Sequence, residues 1–207
     1  MNYATLVSNI ENFTEDNSSE LSASVDQIIA QAETMIFQRL PNLPCFRATA
    51  TGNLVVDTFN YTIASARMIR NVSITSSNVV SYLDHRVDSY LRDYWPNSTT
   101  TGVPIMYSTK SASTSGTVIT LAPTPSAILA YAVDYTAPEA GLSSSNTTTW
   151  VGDNAETVLL ASCLYETSAF LKDANTLTLY KQQFDEAIQL FQQEMLRDYT
   201  AEYNGGI

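Results

Sequence analysis

Histidine is almost missing from this chain of 207 residues, where His85 stands alone. That scarcity closes most routes to general acid–base catalysis, to nucleophile–histidine triads and to histidine-ligated metals. Cysteine is nearly as scarce. Cys45 and Cys163 lie far apart, so they build neither a metal cluster nor a disulfide framework, and spacing alone leaves a single bridge between them open. Cys163 falls in an apolar helical run and reads as a small buried hydrophobe. The seven glycines form neither G-x-G-x-x-G nor G-x-x-x-x-G-K-S/T, which excludes the common phosphate-binding loops. Basic residues are few and scattered, 10 against 21 acidic, for a net charge of -11. Such a surface disfavours nonspecific adhesion to DNA and offers no stripe for reading it. No run approaches the roughly 20 apolar residues that cross a membrane. The opening Met1-Asn2-Tyr3-Ala4-Thr5-Leu6 has neither the basic nor the apolar region of a signal peptide.

What is present is a change of hydrophobic period along the chain. Leu6, Ile10 and Phe13 fall on one face of a short first helix. Leu21, Val25, Ile28, Ile29, Ala32, Met35, Ile36 and Leu40 give a second helix its stripe, with Asn17-Ser18-Ser19-Glu20 as its N-terminal cap and Pro41 and Pro44 as its stop. From residue 45 the pattern turns to short β-prone runs: Leu54-Val55-Val56, Met68-Ile69, Val72-Ser73-Ile74 and Thr117-Val118-Ile119-Thr120-Leu121. Residues 127–135 alternate most clearly, and 81–95, with Leu83, Val87 and Leu91 spaced by four, read as a short helix. After a polar connection, Asp153 with Glu156 reads as a capping box for a helix burying Val158, Leu159, Cys163, Leu164 and Phe170. Asn175 is expected to cap a last helix with the stripe Leu177, Tyr180, Phe184, Ile188, Phe191 and Met195.

These patterns predict an α+β fold. N- and C-terminal helices (1–44 and 137–198) form a helical bundle, a small antiparallel β-domain with one short helix (45–136) is inserted between them, and 199–207 is a flexible tail. Chemistry is hard to place on this frame. Asp84, His85 and Asp88 have the types for a metal or catalytic cluster but read as a solvated helix face, since charge pairs four apart are common there. Glu15-Asp16 and Asp185-Glu186 would support a hydrolase only by converging in a cleft. No enzyme, metal or cofactor is expected. The twelve tyrosines are more suggestive, because tyrosine supplies interface area at low entropic cost. Tyr131 and Tyr135 share a strand face, Tyr82, Tyr90, Tyr94 and Trp95 cluster near the short helix, and Tyr199 and Tyr203 stand in the tail.

The order of parts resembles the head–tail connector (adaptor) proteins of tailed bacteriophages. Leu6-Val7-Ser8-Asn9-Ile10, Thr14-Glu15 and Ile28-Ile29-Ala30-Gln31-Ala32-Glu33 leading to Leu40-Pro41 are similar to their opening. Gly102-Val103-Pro104-Ile105-Met106-Tyr107 resembles their Gly-x-Pro-x-x-Tyr strand start. Leu121-Ala122-Pro123-Thr124-Pro125, the tyrosine strand and Thr149-Trp150 continue the pattern. Leu160, Leu164, Glu166, Phe170-Leu171-Lys172-Asp173, Tyr180, Phe184 and Ala187 end it, and residues 46–80 match only loosely. The resemblance implies a virion protein at the head–tail junction, assembled in the host cytoplasm as a homo-oligomeric ring, typically of twelve copies, beneath the portal protein. Genomic DNA would pass through its lumen without specific binding, and the next neck or tail protein would dock on it. It also implies that the tail meets the portal, with Arg197, Tyr199, Tyr203 and Ile207 as the contact. Ser113, Thr114, Tyr131 and Tyr135 are expected at a subunit or tail interface. The alternative within virions is a stopper or tail terminator, which would be richer in β structure.

Overall fold

Asn2 opens the first helix, α1 (Tyr3–Thr14), by accepting the Thr5 N–H at 2.9 Å. A computed structural model of the protein describes residues 1–112 and 115–204, with the backbone alone for 196–204. It is a mixed α+β protein with six helices and several sheets among the described residues, divided into two units. One unit comprises Met1–Pro41 with the chain from Pro138 onward, and the other is Asn42–Ala137.

In the helical unit, α1 buries Leu6 and Ile10, but Phe13 is exposed, against the expected stripe. The second helix, α2 (Ser19–Arg39), is capped by Ser18, one residue later than Asn17, through the Leu21 N–H at 3.2 Å. It buries Leu21, Val25, Ile28, Ile29, Ala32 and Ile36. A short α4 (Trp150–Asn154) is capped by Thr149, whose hydroxyl accepts the Gly152 N–H at 3.1 Å. Helix α5 (Glu156–Phe170) follows at once, and Ala155 ahead of it offers no side-chain cap. Asp153 and Glu156 therefore do not form the expected capping box. Their carboxylates instead lie 3.6 Å each from the Met1 amino group, which also donates to the Gly152 carbonyl. A Cβ at position 152 would come within 2.6 Å of the Met1 carbonyl oxygen, so this approach needs glycine.

Helix α5 packs against α1, α2, α4 and α6 (Ala174–Asn204). Such a helix has no solvent stripe. Small and hydroxyl residues such as Ala161, Ser162, Thr167 and Ser168 are buried along with Leu159 and Cys163. Their hydroxyls are satisfied locally, Ser162 by the Leu159 carbonyl at 2.9 Å and Thr167 by the Cys163 carbonyl at 2.7 Å. Phe170, expected inside, is exposed where α5 ends. Asp173, not Asn175, starts α6, accepting from the Asn175 N–H at 3.0 Å and the Thr176 hydroxyl at 2.8 Å. The α6 backbone is helical to Asn204, which takes in residues 199–204 of the expected tail.

The second unit holds two four-stranded sheets around one core. The first runs in the order β1 (Arg47–Asn53), β10 (Ala130–Thr136), β3 (Met68–Ser76), β4 (Val79–Tyr82), antiparallel throughout. The second runs β2 (Asn60–Ile63), β8 (Thr117–Ala122), β7 (Met106–Ser111), β5 (Asp84–His85), with β5 parallel to β7. A short parallel pair joins β6 (Thr101–Gly102) to β9 (Thr124–Pro125). Val72, Ile74 and Val133 of the first sheet meet Ile63, Tyr107, Ile119 and Leu121 of the second, with Leu54 and Leu83 beside them. Gly116 precedes β8 at φ +90, and any Cβ there would fall 2.2 Å from the Ile63 carbonyl oxygen.

The helix expected over 81–95 is a correction. Residues 79–82 and 84–85 are strands, and only α3 (Asp88–Tyr94) is helical. Leu83 shows the reason: its N–H bonds to the Val72 carbonyl at 2.8 Å and its side chain enters the sheet core. Tertiary pairing thus overrides a weak four-residue spacing.

Candidate interaction surfaces

Asp84 and His85 lie on β5 and Asp88 on α3, so the three do not share the helix face expected of them. His85 is an exposed strand residue aligned with Tyr107, their rings 5.0 Å apart, and its Nε2 lies 3.4 Å from the Thr109 hydroxyl. Neither neighbour activates an imidazole as a base. Asp88 belongs instead to α3, where the Arg92 guanidinium, 2.8 Å away, holds its carboxyl below the usual range. Among the described residues, no group of three or more His, Cys, Asp or Glu side chains is placed to hold a metal ion. No helix among them is long and apolar enough to cross a membrane. Burial raises the Cys163 thiol well above its ordinary value, consistent with a packing role, and no disulfide links it to Cys45.

Tyr131 and Tyr135 lie on β10, in the middle of the first sheet. Both are half-buried against its core, and the Tyr131 ring sits 5.6 Å from that of Tyr61. Ser113, Thr114 and Ile207 lie outside the described residues. On either side of Ser113 and Thr114, Ser111 pairs with Thr117 and the Ala112 N–H bonds to the Gly116 carbonyl at 3.2 Å. Arg197, Tyr199 and Tyr203 fall on the helical backbone of α6, where positions 199 and 203 are one turn apart, and their side chains are outside the described part. The structure therefore brings Tyr131 and Tyr135 together on one strand of the β unit, while positions 197, 199 and 203 belong to the helical unit.

The exposed apolar residues show a surface that sequence reading missed. All four residues of β4 are exposed, Val79, Val80 and Tyr82 by 61%, 56% and 70%. Close in sequence stand Val87, Tyr90 and Tyr94, with Tyr94 stacked on Tyr90 and tilted against Trp95, and Arg86 over the Tyr90 ring at 5.4 Å. The tyrosine count pointed to this region. The signal for β4 itself was Ser77-Asn78, both at positive φ (51 and 64), the backbone of a two-residue hairpin turn.

Charge is split as sharply as structure. Sixteen of the 21 acidic residues but only four of the 10 basic ones fall in 1–41 and 138–207, leaving five acidic and six basic in 42–137. The helical unit thus carries about -12 and the β unit about +1, which together give the -11 of the chain. Within the helical unit the connection after residue 137 is pinned by carboxylates. Glu139 accepts the Trp150 and Val151 N–H groups at 3.2 Å each, stabilising the start of α4. Glu33 of α2 accepts the Leu142 N–H at 2.9 and 3.2 Å. Burial pushes Glu33 up to about 7; the Leu142 hydrogen bond works against that rise and the nearby Glu139 charge adds to it.

The surface thus offers one exposed apolar strand edge, a long helix and one strongly acidic unit. A profile of the protein family described as SU10 adaptor protein matches residues 1–205. No curated protein matches the chain.

Proposed function

The chain belongs to the SU10 adaptor protein family, structural adaptors of bacteriophage particles, and on that premise we propose that it forms a ring beneath the portal protein. In this reading the ring, of twelve copies, extends the DNA channel at the head–tail junction and docks the next neck or tail component. The observation that carries the proposal is the span of the family match, residues 1–205 of 207. The helices packed on α5 act as one bundle that gives each subunit its rigid body.

The uneven charge supports a division of labour. A helical unit near -12 suits the wall of a lumen, where like charge keeps the DNA backbone from adhering as it passes. The end of α6 is the portal contact, with Arg197, Tyr199, Tyr203 and Ile207 as its residues. A helix that continues to Asn204 gives that contact a preformed scaffold for positions 197–203, which lowers the ordering cost of binding. Ser113 and Thr114, with Tyr131 and Tyr135, serve neighbouring subunits or the next tail ring.

The test is to mix the purified protein with the portal of the same virus and examine the mixture by negative-stain microscopy and mass measurement. A ring added to one end of the portal is expected. Failure to associate, with a stable monomer or an open tube instead, would overturn the proposal. Substituting Tyr199→Ala and Tyr203→Ala together is expected to weaken portal binding by at least tenfold, about 1.4 kcal/mol, while leaving the thermal midpoint unchanged. Unchanged affinity would remove the α6 end from the contact.

A further inference from the structure

We propose that neighbouring copies in the ring join through their sheets, β4 of one copy adding antiparallel to β1 of the next. This rests on the ring reading above and names its lateral contact. β1 and β4 are the two terminal strands of the first sheet, separated by β10 and β3. The three pairings across that sheet are all antiparallel, so β1 and β4 of one chain run in opposite directions. A second copy set beside the first in the plane of the sheet therefore presents β1 antiparallel to the open β4, and the ladder continues without inverting either subunit.

The β4 edge calls for such a partner. Open edges are ordinarily protected by shortness, charge, proline or a bulge; Val79-Val80-Ser81-Tyr82 is short, but it carries no charge, proline or bulge and exposes every residue. Register within the chain fixes the faces. Ser81 lies opposite Ile74 and Val79 opposite Ser76 on the core side, while Tyr82 and Val80 share the outer side with Ser73 and Thr75. Across β10, Thr51 belongs to that outer side and Ala50 to the core side. Setting Val80 opposite Thr51 of the next copy keeps every side chain on its own face. The same register sets Tyr82 opposite Thr49, favourable as an aromatic and β-branched pair, and small Ala50 and Gly52 opposite Ser81 and Val79. Because the two joined edges differ, the contact is head-to-tail and repeats from copy to copy, the kind of contact a ring requires, whereas β4 against β4 would stop at a dimer.

The experiment uses the full chain with Thr51→Cys and Val80→Cys together, assembled on the portal and oxidised. Within one chain these positions lie about 16 Å apart, three strand spacings across and two residues along, too far for a disulfide, so any bridge joins two copies. The expected result is a non-reducing ladder extending beyond the dimer to the full ring, absent from either single variant. In a second variant, Val80→Lys is expected to abolish ring assembly without moving the monomer's thermal midpoint. Rings that form without a ladder, and that still form with Val80→Lys, would overturn this contact while leaving the ring reading intact. Dimers from Val80→Cys alone would overturn it in favour of β4 self-pairing. Absence of any ring from the unsubstituted protein would defeat the ring reading, and this contact with it.

Discussion

Glu33 shows how a single carboxyl is recruited by the fold. Its oxygens hold the Leu142 N–H, fastening the connection after residue 137 to α2. Burial is the main cause of its rise to about 7 from an ordinary 4.5. Below 4.5 it is protonated in both folded and unfolded chains, and its stabilising contribution is complete. As pH climbs from 4.5 toward 7 the unfolded chain releases this proton while the folded one retains it, so stability is lost across that window and levels off above it. Glu33→Gln keeps an acceptor for Leu142 without the titration. The variant is expected to show a flatter urea midpoint between pH 5 and pH 8 and to exceed the parent at pH 8. An unchanged pH slope would mean that Glu33 is not the group responsible. None of this was legible in the chain, since Glu33 is a lone carboxylate beside the apolar stripe of α2. Asp153 and Glu156 teach the same lesson: their spacing is that of a capping box, but the Met1 amino group, 3.6 Å from each carboxylate, lies far off in sequence.

At the scale of elements, legibility followed periodicity. The stripe of α2 reads correctly because one face is buried and the other is wet. α5 reads less well, because helices on several sides bury its serines and threonines too, and Phe170 at its end faces solvent. The difference is measurable. Leu159→Ala, at a fully buried site, is expected to cost about 2–5 kcal/mol, whereas Phe170→Ala should cost no more than about 1 kcal/mol. Denaturant titration of the two variants decides it, and comparable losses would mean that Phe170 is covered in solution. The strands were harder. β1, with the sequence Arg-Ala-Thr-Ala-Thr-Gly-Asn, alternates threonine with small residues and carries no large apolar side chain to announce it. β4 and β5 were hidden by a helical spacing in which Leu83 and Leu91 are buried but Val87 is exposed. Candidate interface residues were legible only as tyrosine enrichment. The strand edge that exposes Val79 and Val80 depends on which strands are terminal, and no local pattern encodes that.

For the whole molecule, the α+β class was legible from the switch between periods of 3.6 and 2, and the presence of two sheets sharing a core was not. The β unit has the means to fold alone. Its first and last strands, β1 and β10, are neighbours, with Arg47 opposite Thr136, so its two ends lie side by side. Its core draws on both of its own sheets, from Leu54 to Val133. It also holds little of the chain's acidity, with five acidic residues against six basic. Residues 42–137 expressed alone are therefore expected to unfold in one cooperative transition and to give a β-type far-ultraviolet circular dichroism spectrum. Their isoelectric point should lie well above the 4.3 of the full chain. A random-coil spectrum from this fragment would show instead that the helical unit is needed to complete its core. The full protein would then unfold in a single step, because loss of either unit would expose the other.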